Sequence, residues 1–426
     1  MFSRIHLLIA AIVIVAVQVS SPTLRAQAAE SATGTDVEFG PGAEVKLVAP
    51  NATVSSRNRS EVIGWPTGRK PQAPAGFEVT LFADDLDTPR WAVALPNGDI
   101  LVALALRGSG PGTSATSNRV VLFRDQNGDG KPDFRSTLLK DLNRPHGLLL
   151  LGDYLYVGNT DAVVRYKFQL GQTEIPTAGE KILDLPPGGH YTRNLIASPD
   201  GKKIFVAVGS KTNVDENGED ARDPRRAAIL EINPDGTGMR VYASGLRNPV
   251  GMDWEPGTKK LWAVVNERDA LGDQLVPDYA TSVKEGAFYG WPYSYFGQHE
   301  DPRKKGQRPD LAAKAIAPDY AVGAHTATLG ITFYTGKQFP ARFQSGAFIA
   351  QHGSWNRSSL IGYRIAFLPF KNGKPAGPMK DFLTGFIANG KEVYGRPVVA
   401  ALLQDGALLI VDDEASKLWH VRYTGK

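Results

Sequence analysis

The stretch Pro96-Asn97-Gly98-Asp99-Ile100-Leu101-Val102-Ala103-Leu104 joins a glycine-containing turn to a wholly apolar run, and the same pairing recurs along the chain. Asn-Gly favours a tight turn, and a short apolar run bounded by turn residues is typical of a buried strand. Five further pairs follow at intervals of about 50 to 90 residues: Gly152-Asp153 before Tyr154 to Val157, Pro199-Asp200-Gly201 before Ile204 to Val208, Pro256-Gly257 before Leu261 to Val265, Gln344-Ser345-Gly346 before Ala347 to Ala350, and Gln404-Asp405-Gly406 before Ala407 to Val411.

Six repeats of this size predict an all-β protein with the fold of a six-bladed β-propeller, in which each repeat supplies one four-stranded blade. A propeller must close its ring, and the strand-like segment 78–82 is expected to pair with the last blade near residues 418–423. A β-sandwich pair or a β-helix is the alternative. Sandwiches rarely extend over 426 residues as one domain, which favours the propeller.

The amino terminus has the features of an export signal. Arg4 and His6 precede an apolar run from Leu7 to Val17, and Ala26-Gln27-Ala28 fits a small-residue cleavage site. We therefore expect a signal peptide at residues 1–28, a periplasmic or secreted protein and no membrane span after cleavage. A retained membrane anchor is the alternative, although the run is short for a spanning helix.

The rest of the sequence defines the domain boundaries and argues against two other kinds of protein, those stabilised by disulfides and those that bind nucleic acids. Residues 29–75 have weak periodicity and predict an N-terminal extension, followed by a propeller domain at 76–426. The chain has no cysteine, so the fold must be stable without disulfides. Its net charge of +4 comes from dispersed basic residues, which argues against nucleic-acid binding.

One loop has the spacing of a calcium site. The segment 125–133 places oxygen-bearing side chains at loop positions 1, 3, 5 and 9 and a glycine at position 6. Ser136 stands where the helix-flanked version has glutamate, and strands flank the loop. A structural calcium and a plain acidic turn are equally supported, and the ligands would be Asp125, Asn127, Asp129 and Asp133.

Three loops carry residues that could take part in catalysis or in cofactor binding. His190 lies in a glycine-rich loop before a strand, where a neutral imidazole can take a proton from a hydroxyl, although a lone loop histidine more often bonds to backbone. Arg247 and Asn248 offer donors to a carboxylate or quinone oxygen, and a turn with a salt bridge is their structural alternative. Arg268 and Asp269 lie in an oxygen-rich loop that suits a hard cation or is simply a solvated charged loop.

Two more arginines lie at junctions of strands and loops. Arg357 follows the strand that ends near Ala350, and Arg396 precedes the final hairpin. Because propeller loops at one end converge on the axis, His190, Arg247, Arg357 and Arg396 are expected to line one basic pocket. Such a pocket suits a polyanionic cofactor.

Taken together, these motifs resemble the soluble glucose dehydrogenase and sorbosone dehydrogenase family, particularly its sorbosone dehydrogenase-like branch. The resemblance covers about residues 75–423. It rests on six segments in a fixed order: GGHYTRN (188–194), GLRNPVG (245–251), VNERDALGDQLVPDY (265–279), FYGWPYSYFG (288–297), QHGSWNRS (351–358) and GRPV (395–398).

The resemblance implies pyrroloquinoline quinone (PQQ) on the axis with calcium beside it, and oxidation of a sugar or a sugar-derived alcohol or aldehyde. His190 matches the family's general base, which removes the hydroxyl proton as hydride passes to the quinone. Arg247 and Asn248 match the pair on the quinone oxygens, backbone carbonyls near Arg268 and Asp269 match the calcium turn, and Arg396 matches a carboxylate-binding arginine.

The sequence departs from the glucose-oxidising members at two places. They carry an aspartate just before the catalytic histidine, where this chain has Gly189, so the partner that orients the imidazole must come from elsewhere. They also use a lysine on the cofactor, and Arg357 is its expected substitute here. The substrate, the oligomeric state and the physiological electron acceptor, a quinone or a cytochrome, are not specified by the motifs.

Two other functions fit the same fold. A calcium-dependent lactonase would use Glu267 and Asn248 as metal ligands and water as nucleophile. A non-catalytic propeller would be an interaction module of the cell envelope. The concentration of arginines near the axis favours the dehydrogenase, because a lactone needs no polyanion clamp.

Overall fold

The computed structural model describes residues 39–42, 44–105 and 118–425, and the predicted signal segment lies outside them. Six sheets of at least four strands lie within the described chain and form a six-bladed β-propeller, as the repeats predicted. Neighbouring inner strands contact one another around the ring. The blades are numbered here in chain order, from the strand at Pro89–Ala94 onward.

Each blade runs from an inner strand outward through antiparallel neighbours. Blade 1 has Pro89–Ala94, Ile100–Leu104, Arg119–Arg124 and Phe134–Leu139; blade 2 has Leu148–Leu151, Tyr154–Gly158, Ala162–Lys167 and Glu180–Asp184; blade 3 has Leu195–Ala197, Ile204–Val208, Ala228–Ile232 and Arg240–Ser244. Blade 4 has Asn248–Trp254, Leu261–Asn266, Pro277–Ser282 and Tyr320–Ala324; blade 5 has Thr328–Phe333, Gly346–Gln351, Arg364–Lys371 and Lys380–Leu383; blade 6 has Pro397–Leu402, Leu408–Asp412, Lys417–Tyr423 and Phe77–Ala83.

The ring closes through blade 6, whose outer strand comes from the beginning of the propeller. Phe77–Ala83 pairs antiparallel with Lys417–Tyr423, with Phe77 opposite Tyr423 and Val79 opposite Val421. This pairing confirms the predicted closure. It joins the first and last segments of the propeller in one sheet, in which Phe77–Ala83 is the outer edge strand.

The apolar runs singled out in the sequence form the second strand of each blade. Every residue of Ile100–Leu104, Ile204–Val208 and Leu408–Asp412 is buried, because both faces of a blade pack against neighbouring blades. These strands therefore lack the alternation of a strand with one face in water. Their burial supplies the core that a chain without disulfides requires.

Several short elements lie outside the four main strands of the blades. They are the strands Phe39–Pro41, Glu61–Val62, Ser294–Tyr295, His299–Glu300, Lys374–Pro375 and Glu392–Val393, the helix Pro309–Ala312 and the 3-10 turn Ala341–Phe343. Phe39–Pro41 extends blade 4, and Glu61–Val62 runs parallel to Glu392–Val393. No helix within the described part of the chain has the length and hydrophobicity to cross a bilayer.

The start of the inner strand is irregular in four blades. The pairing register shifts just after Pro89, Pro249, Thr328 and Pro397. Such irregularities bend a strand and redirect its side chains. The residues next to these shifts supply several of the side chains of the site.

Candidate functional site

A cavity of about 400 Å³ opens where the starts of the inner strands meet. This volume lies in the range of small-molecule and cofactor pockets. Its described lining residues are Arg90, Arg144, His190, Tyr191, Thr192, Asn248, Asn266, Ala327, Leu329, His352, Trp355 and Arg396. Three of the predicted site residues, His190, Asn248 and Arg396, therefore share one cavity.

The loop that presents His190 is held by two buried or half-buried arginines. Arg193 donates to the carbonyl oxygens of Pro186 and His190 at 2.8 and 2.6 Å, and it is fully buried. Arg226 donates to the carbonyl of Gly188 at 3.2 Å. Because these guanidinium groups donate hydrogen bonds to several backbone carbonyls of the loop, they hold the glycine-rich segment in one conformation.

The imidazole of His190 has a defined tautomer. Its Nδ1 lies 2.8 Å from the carbonyl oxygen of Ser210 and 3.1 Å from the Ser210 hydroxyl, which itself donates to Thr212 O at 2.7 Å. A carbonyl only accepts, so Nδ1 carries the proton. Nε2 is then the unprotonated ring nitrogen that remains for the cavity.

The same surroundings keep this imidazole neutral. Burial, followed by the nearby guanidinium of Arg247, lowers the pKa of His190 to about 3. The Nε2 lone pair of the neutral ring can accept a proton, but the low pKa makes His190 a weaker base than an exposed histidine, whose pKa lies nearer the operating pH.

We expect the stability of the cofactor-free protein to fall as the pH drops below about 6.5, the pKa of histidine in an unfolded chain. The folded state binds this proton only near pH 3, so the neutral form of His190 stabilises the fold above pH 6.5 and this contribution is lost on acidification. The slope from one such group approaches about 1.4 kcal/mol per pH unit. Urea unfolding of wild type and His190→Gln between pH 5 and 7 measures it, and parallel curves would contradict this assignment.

The backbone of Ser210 lies where the side chain of an aspartate at residue 189 would have to be placed. Gly189 has a φ of +69°, and a Cβ there would lie 2.3 Å from Lys211 Cα and 2.7 Å from Ser210 O. The chain therefore cannot carry a side chain at residue 189 without moving the acceptor of His190. The orienting group that the sequence left open is the Ser210 backbone carbonyl.

We expect Gly189→Ala to destabilise the protein by about 2–4 kcal/mol, because it combines a left-handed backbone with a backbone clash. Gly188→Ala is the matched control. Gly188 also has a positive φ, of +78°, but nothing lies within 4 Å of its Cβ position, so about 1 kcal/mol is expected. Equal losses in urea unfolding for the two variants would contradict the close approach at residue 189.

Arg247 lies behind His190. Its Nη1 donates to Glu267 O at 2.8 Å and its Nη2 to Asn213 Oδ1 at 3.0 Å, while Asp269 Oδ2 is 3.7 Å from Nη2. Arg247 is therefore bound to protein groups and is not among the described lining residues of the cavity. It acts on the site through its positive charge, as its effect on the pKa of His190 shows.

Asn248 reaches the cavity directly. Its Oδ1 is buried and has no hydrogen-bond partner among the described residues. A Cβ at Gly209 would lie 2.3 Å from this oxygen and 2.6 Å from His190 Cβ, so only glycine fits between the two side chains. An unsatisfied buried amide oxygen at a cavity wall is suited to a ligand or water that donates to it.

Arg357 is not brought to the cavity. Its Nη1 donates to the carbonyl oxygens of Asp273 and Ala324 at 3.1 and 3.4 Å, and it is absent from the described lining. The predicted basic pocket thus contains His190 and Arg396, whereas Arg247 lies behind it and Arg357 outside it.

The expected calcium turn has a different arrangement. The carbonyl oxygen of Asp269 accepts hydrogen bonds from Arg268 Nε and Nη2 at 3.0 and 2.7 Å and from Asn213 Nδ2 at 3.1 Å. Arg268 is buried and paired with Asp301 at 2.5 Å. A cation on the Asp269 carbonyl would have to displace a guanidinium, so the backbone carbonyl at this position does not fit calcium as the chain is arranged.

The calcium-like loop at residues 125–133 lies on blade 1. Its side chains accept from the loop's own backbone, as Asp125 does from the N–H groups of Gly128 and Gly130 at 2.8 Å. Among the described residues, only His352, Asp413 and Glu414 form a group of three candidate metal ligands within 4.8 Å of one another. The carboxylates of Asp125, Asp129 and Asp133 are therefore not gathered around one point.

The group at His352 is an ion-pair network on one wall of the cavity. His352 Nε2 lies 2.8 Å from Asp413 Oδ1, Asp413 also pairs with Arg90, and Glu414 Oε1 pairs with Arg396 Nη1 at 2.8 Å. Two guanidinium groups face two carboxylates here. The network therefore fixes Arg90 and Arg396 at the cavity wall.

The sequence reasoning missed Arg90 and Arg144. Arg144 stacks on the ring of Tyr191 at 3.6 Å and lines the cavity with it. A signal was present, because Arg144 directly precedes a proline just as Asn248 and Arg396 do, and all three stand at the beginning of a blade. A polar residue directly before a proline at the beginning of a blade therefore marks a cavity-lining position in these three blades, whereas Arg90 follows its proline.

The comparisons with known proteins agree with this architecture. Residues 71–424 match the model of the TrAA12-like family. The chain is 30% identical over 368 residues to an uncharacterized protein of Borreliella burgdorferi, covering 83% of this chain and 90% of the relative. It is 27% identical over 305 residues to the aldose sugar dehydrogenase YliI of Escherichia coli, covering 65% and 78%.

A third relative is the pyrroloquinoline quinone-dependent sugar dehydrogenase of Hypocrea jecorina, 24% identical over 291 residues that cover 62% of this chain and 64% of the relative. The calcium structure of the Trichoderma reesei AA12 enzyme superposes with a TM-score of 0.70 at 20% identity, covering 86% of this chain and 99% of the other. The structural likeness supports the propeller fold.

Proposed function

Because the chain belongs to the TrAA12-like family, we propose that it is a PQQ-dependent dehydrogenase of a sugar or a sugar-derived alcohol or aldehyde. The observation that carries this proposal is the pairing of a neutral, oriented His190 with three arginines around one cavity. The relatives named as sugar dehydrogenases support the same reaction class. The sorbosone dehydrogenase-like branch and the actual sugar stay part of this proposal.

The donor set of the cavity fits PQQ, which bears three carboxylates and a quinone. Arg90, Arg144 and Arg396 would hold the carboxylates, because a guanidinium fork matches a carboxylate and keeps its charge at all relevant pH values. The amide of Asn248 lines the same cavity, and its N–H groups would contact a cofactor oxygen. A pocket that hydrolysed lactones without binding PQQ would not need this concentration of cations.

In the proposed reaction, Nε2 of His190 takes the proton from the substrate hydroxyl. PQQ, when bound, supplies a two-electron acceptor for the hydride. The Nδ1–H bond to Ser210 O holds the ring and stabilises the imidazolium that forms. The positive charge of Arg247 lies behind the histidine, where it opposes protonation of the ring and would stabilise negative charge on a cofactor held in the cavity.

Calcium remains part of the proposal on the resemblance and on the calcium-containing AA12 structure. The Asp269 carbonyl does not support it, since Arg268 occupies that oxygen. No step of the proposed reaction is therefore assigned to calcium. A metal titration followed by PQQ binding tests whether the ion is required.

The lactonase alternative requires Glu267 and Asn248 to share one metal. Asn248 lines the cavity, whereas Glu267 is 3% exposed, is not among the described lining residues and has a pKa raised to about 7 by burial. A carboxyl must be ionised to bind calcium, and the burial of Glu267 opposes its ionisation. This arrangement favours the dehydrogenase over the lactonase.

The experiment is reconstitution of the purified full chain with PQQ and calcium. We expect the quinone absorbance to co-elute with the protein and an artificial electron acceptor to be reduced when aldoses or aldehydes are added. A panel of such substrates identifies the sugar. A protein that retains no PQQ, or that hydrolyses lactones at unchanged rate without it, would refute the proposal.

The proposed export rests on the amino-terminal apolar run, and the proposed electron-accepting partner follows from the reaction. An exported protein with this chemistry would pass its electrons to a separate quinone or cytochrome. Fractionation of cells that produce the full-length chain tests the predicted export, and mature-terminus sequencing tests cleavage after residue 28.

A further inference from the structure

Residues 51–65, named here the arm, precede the segment that the family model matches and run along two loops of the site. One is the turn 269–274, and the other is the loop 352–358, which supplies His352 and Trp355 to the cavity. We propose that the arm is a positioning element of the cofactor site. It holds these two loops, and the segment that carries Arg396, in fixed positions relative to one another. This inference rests on the proposed function.

The arm is packed tightly against the turn. Asn51 N donates to Leu271 O at 2.7 Å, and Gly272 N donates to the hydroxyl of Ser55 at 2.9 Å. Gly272 has a φ of +115°, and a Cβ there would lie 2.7 Å from both the carbonyl and the hydroxyl oxygen of Thr53. The approach is so close that a side chain at residue 272 would push the arm away.

A single carboxylate joins the arm, the turn and the loop. Asp273 Oδ1 accepts from Ser56 N at 3.1 Å, and Asp273 Oδ2 accepts from Ser358 N at 2.8 Å. Burial raises the pKa of Asp273, but hydrogen bonds from Ser358 and Ser56 outweigh it and lower the pKa overall. The ionised carboxylate therefore couples the positions of three segments that are far apart in sequence.

The arm also holds the cavity-lining loop directly. Asn58 N donates to Trp355 O at 2.9 Å, and Asn58 Nδ2 donates to Ser358 O at 3.1 Å. Trp355 lines the cavity, and its backbone is thus fixed by the arm. Arg59 lies over the Trp355 ring at 5.6 Å.

The end of the arm is anchored beside Arg396. The indole N–H of Trp65 donates to Asp412 Oδ2 at 2.7 Å, and Arg396 N donates to Asp412 Oδ1 at 2.7 Å. Asp412 is fully buried, so its two oxygens need these donors. The next residue along the strand, Asp413, holds His352 and Arg90 at the cavity.

These contacts form a continuous path from the arm to loop 352–358 and to Arg396, both of which contribute to the cavity lining, and to the turn 269–274 beside them. If the arm only shielded the surface, loosening it would lower stability without altering the site. If it positions the site, loosening it must also mobilise residues 269–274 and 352–358 and weaken PQQ binding. The two roles therefore make different predictions for the same variant.

The test uses the full chain with the double substitution Asn58→Ala and Trp65→Phe, which removes hydrogen bonds of the arm and keeps an aromatic ring at residue 65. Val54→Ser is the matched control, because Val54 is 79% exposed and lies in the same segment. Amide hydrogen exchange of the cofactor-free protein reports on the loops, and PQQ titration with excess calcium reports on affinity.

We expect exchange in 269–274 and 352–358 to accelerate at least about tenfold in the double variant and PQQ affinity to fall about tenfold, since each lost bond contributes roughly 1 kcal/mol. The control should match wild type in both measurements. Unchanged exchange, or faster exchange with unchanged PQQ affinity, overturns the positioning role. If wild type binds no PQQ at all, the proposed function fails and the cofactor part of the inference with it, while exchange still decides whether the arm orders the loops.

Discussion

His190→Ala is expected to lower turnover of the reconstituted enzyme by about 10²- to 10⁴-fold, the range that a general base contributes, while PQQ stays bound. The physical reason is the position of the imidazole. Its Nδ1–H is used by Ser210 O, so Nε2 is the nitrogen that can accept the substrate proton. Dye-linked turnover at saturating substrate, with PQQ occupancy measured by absorbance, separates the loss of chemistry from a loss of cofactor.

Ser210→Ala is the matched control for this variant. It removes the hydroxyl at 3.1 Å but leaves the backbone carbonyl at 2.8 Å, so a loss of less than about tenfold is expected. A His190→Ala enzyme with the wild-type rate would show that another group removes the proton. A Ser210→Ala enzyme as inactive as His190→Ala would show that the hydroxyl orients the ring instead of the carbonyl.

Arg396→Ala is expected to weaken PQQ binding about 100-fold. The side chain is held in the cavity wall by His352 O at 2.9 Å, Gly353 O at 2.6 Å and Glu414 Oε1 at 2.8 Å. Its removal takes away one cation of the cavity lining and would leave the carboxylate of Glu414 uncompensated beside an anionic ligand. Charge-assisted hydrogen bonds contribute about 1.5–3 kcal/mol, and that range corresponds to roughly 10- to 100-fold in affinity before the repulsion is added.

The comparison variant is Arg422→Ala, which breaks an ion pair with Glu78 on the outer strands of blade 6. Arg422 is outside the cavity lining, so PQQ affinity should stay within about twofold of wild type, as is usual for an exposed ion pair. Fluorescence or absorbance titration of PQQ into each apo-protein provides the constants. Equal affinities for Arg396→Ala and wild type would remove Arg396 from the cofactor site.

The acid dependence of stability and the contrast between Gly189 and Gly188 test the same site without any cofactor. Both depend on the carbonyl of Ser210, which lies against Gly189 and accepts from His190. If these two predictions hold while PQQ binding fails, the geometry at His190 is correct and the proposed reaction is wrong. The measurements therefore distinguish a structural error from a functional one.

Six propeller repeats and the loop that carries His190 could be predicted from the sequence because their signals are local. Turn residues followed by apolar runs specify a strand wherever they occur, and the pairing of Phe77–Ala83 with Lys417–Tyr423 follows once a ring must close. Asn248 and Arg396 could be placed at the cavity for the same reason. Both stand at the start of an inner strand, where the chain reaches the axis.

Other features depended on contacts between segments that are distant in sequence. Arg357 looked equivalent to Arg396, yet its guanidinium is bound to carbonyl oxygens of Asp273 and Ala324. Arg144, which was not predicted, lines the cavity, and its guanidinium lies over the ring of Tyr191. The direction of a long side chain is set by which partner the fold brings near it, and the motif around it does not encode that partner.

By itself the sequence determined the propeller, its closure and the loops that face the axis, because hydrophobic patterning and turn chemistry act over a few residues. Only the tertiary structure decided which arginines line the cavity, that Ser210 orients His190, and that residues 51–65 bind the loops of the site. These features are set by which loops converge when six blades close into a ring, and that convergence exists only in the folded chain.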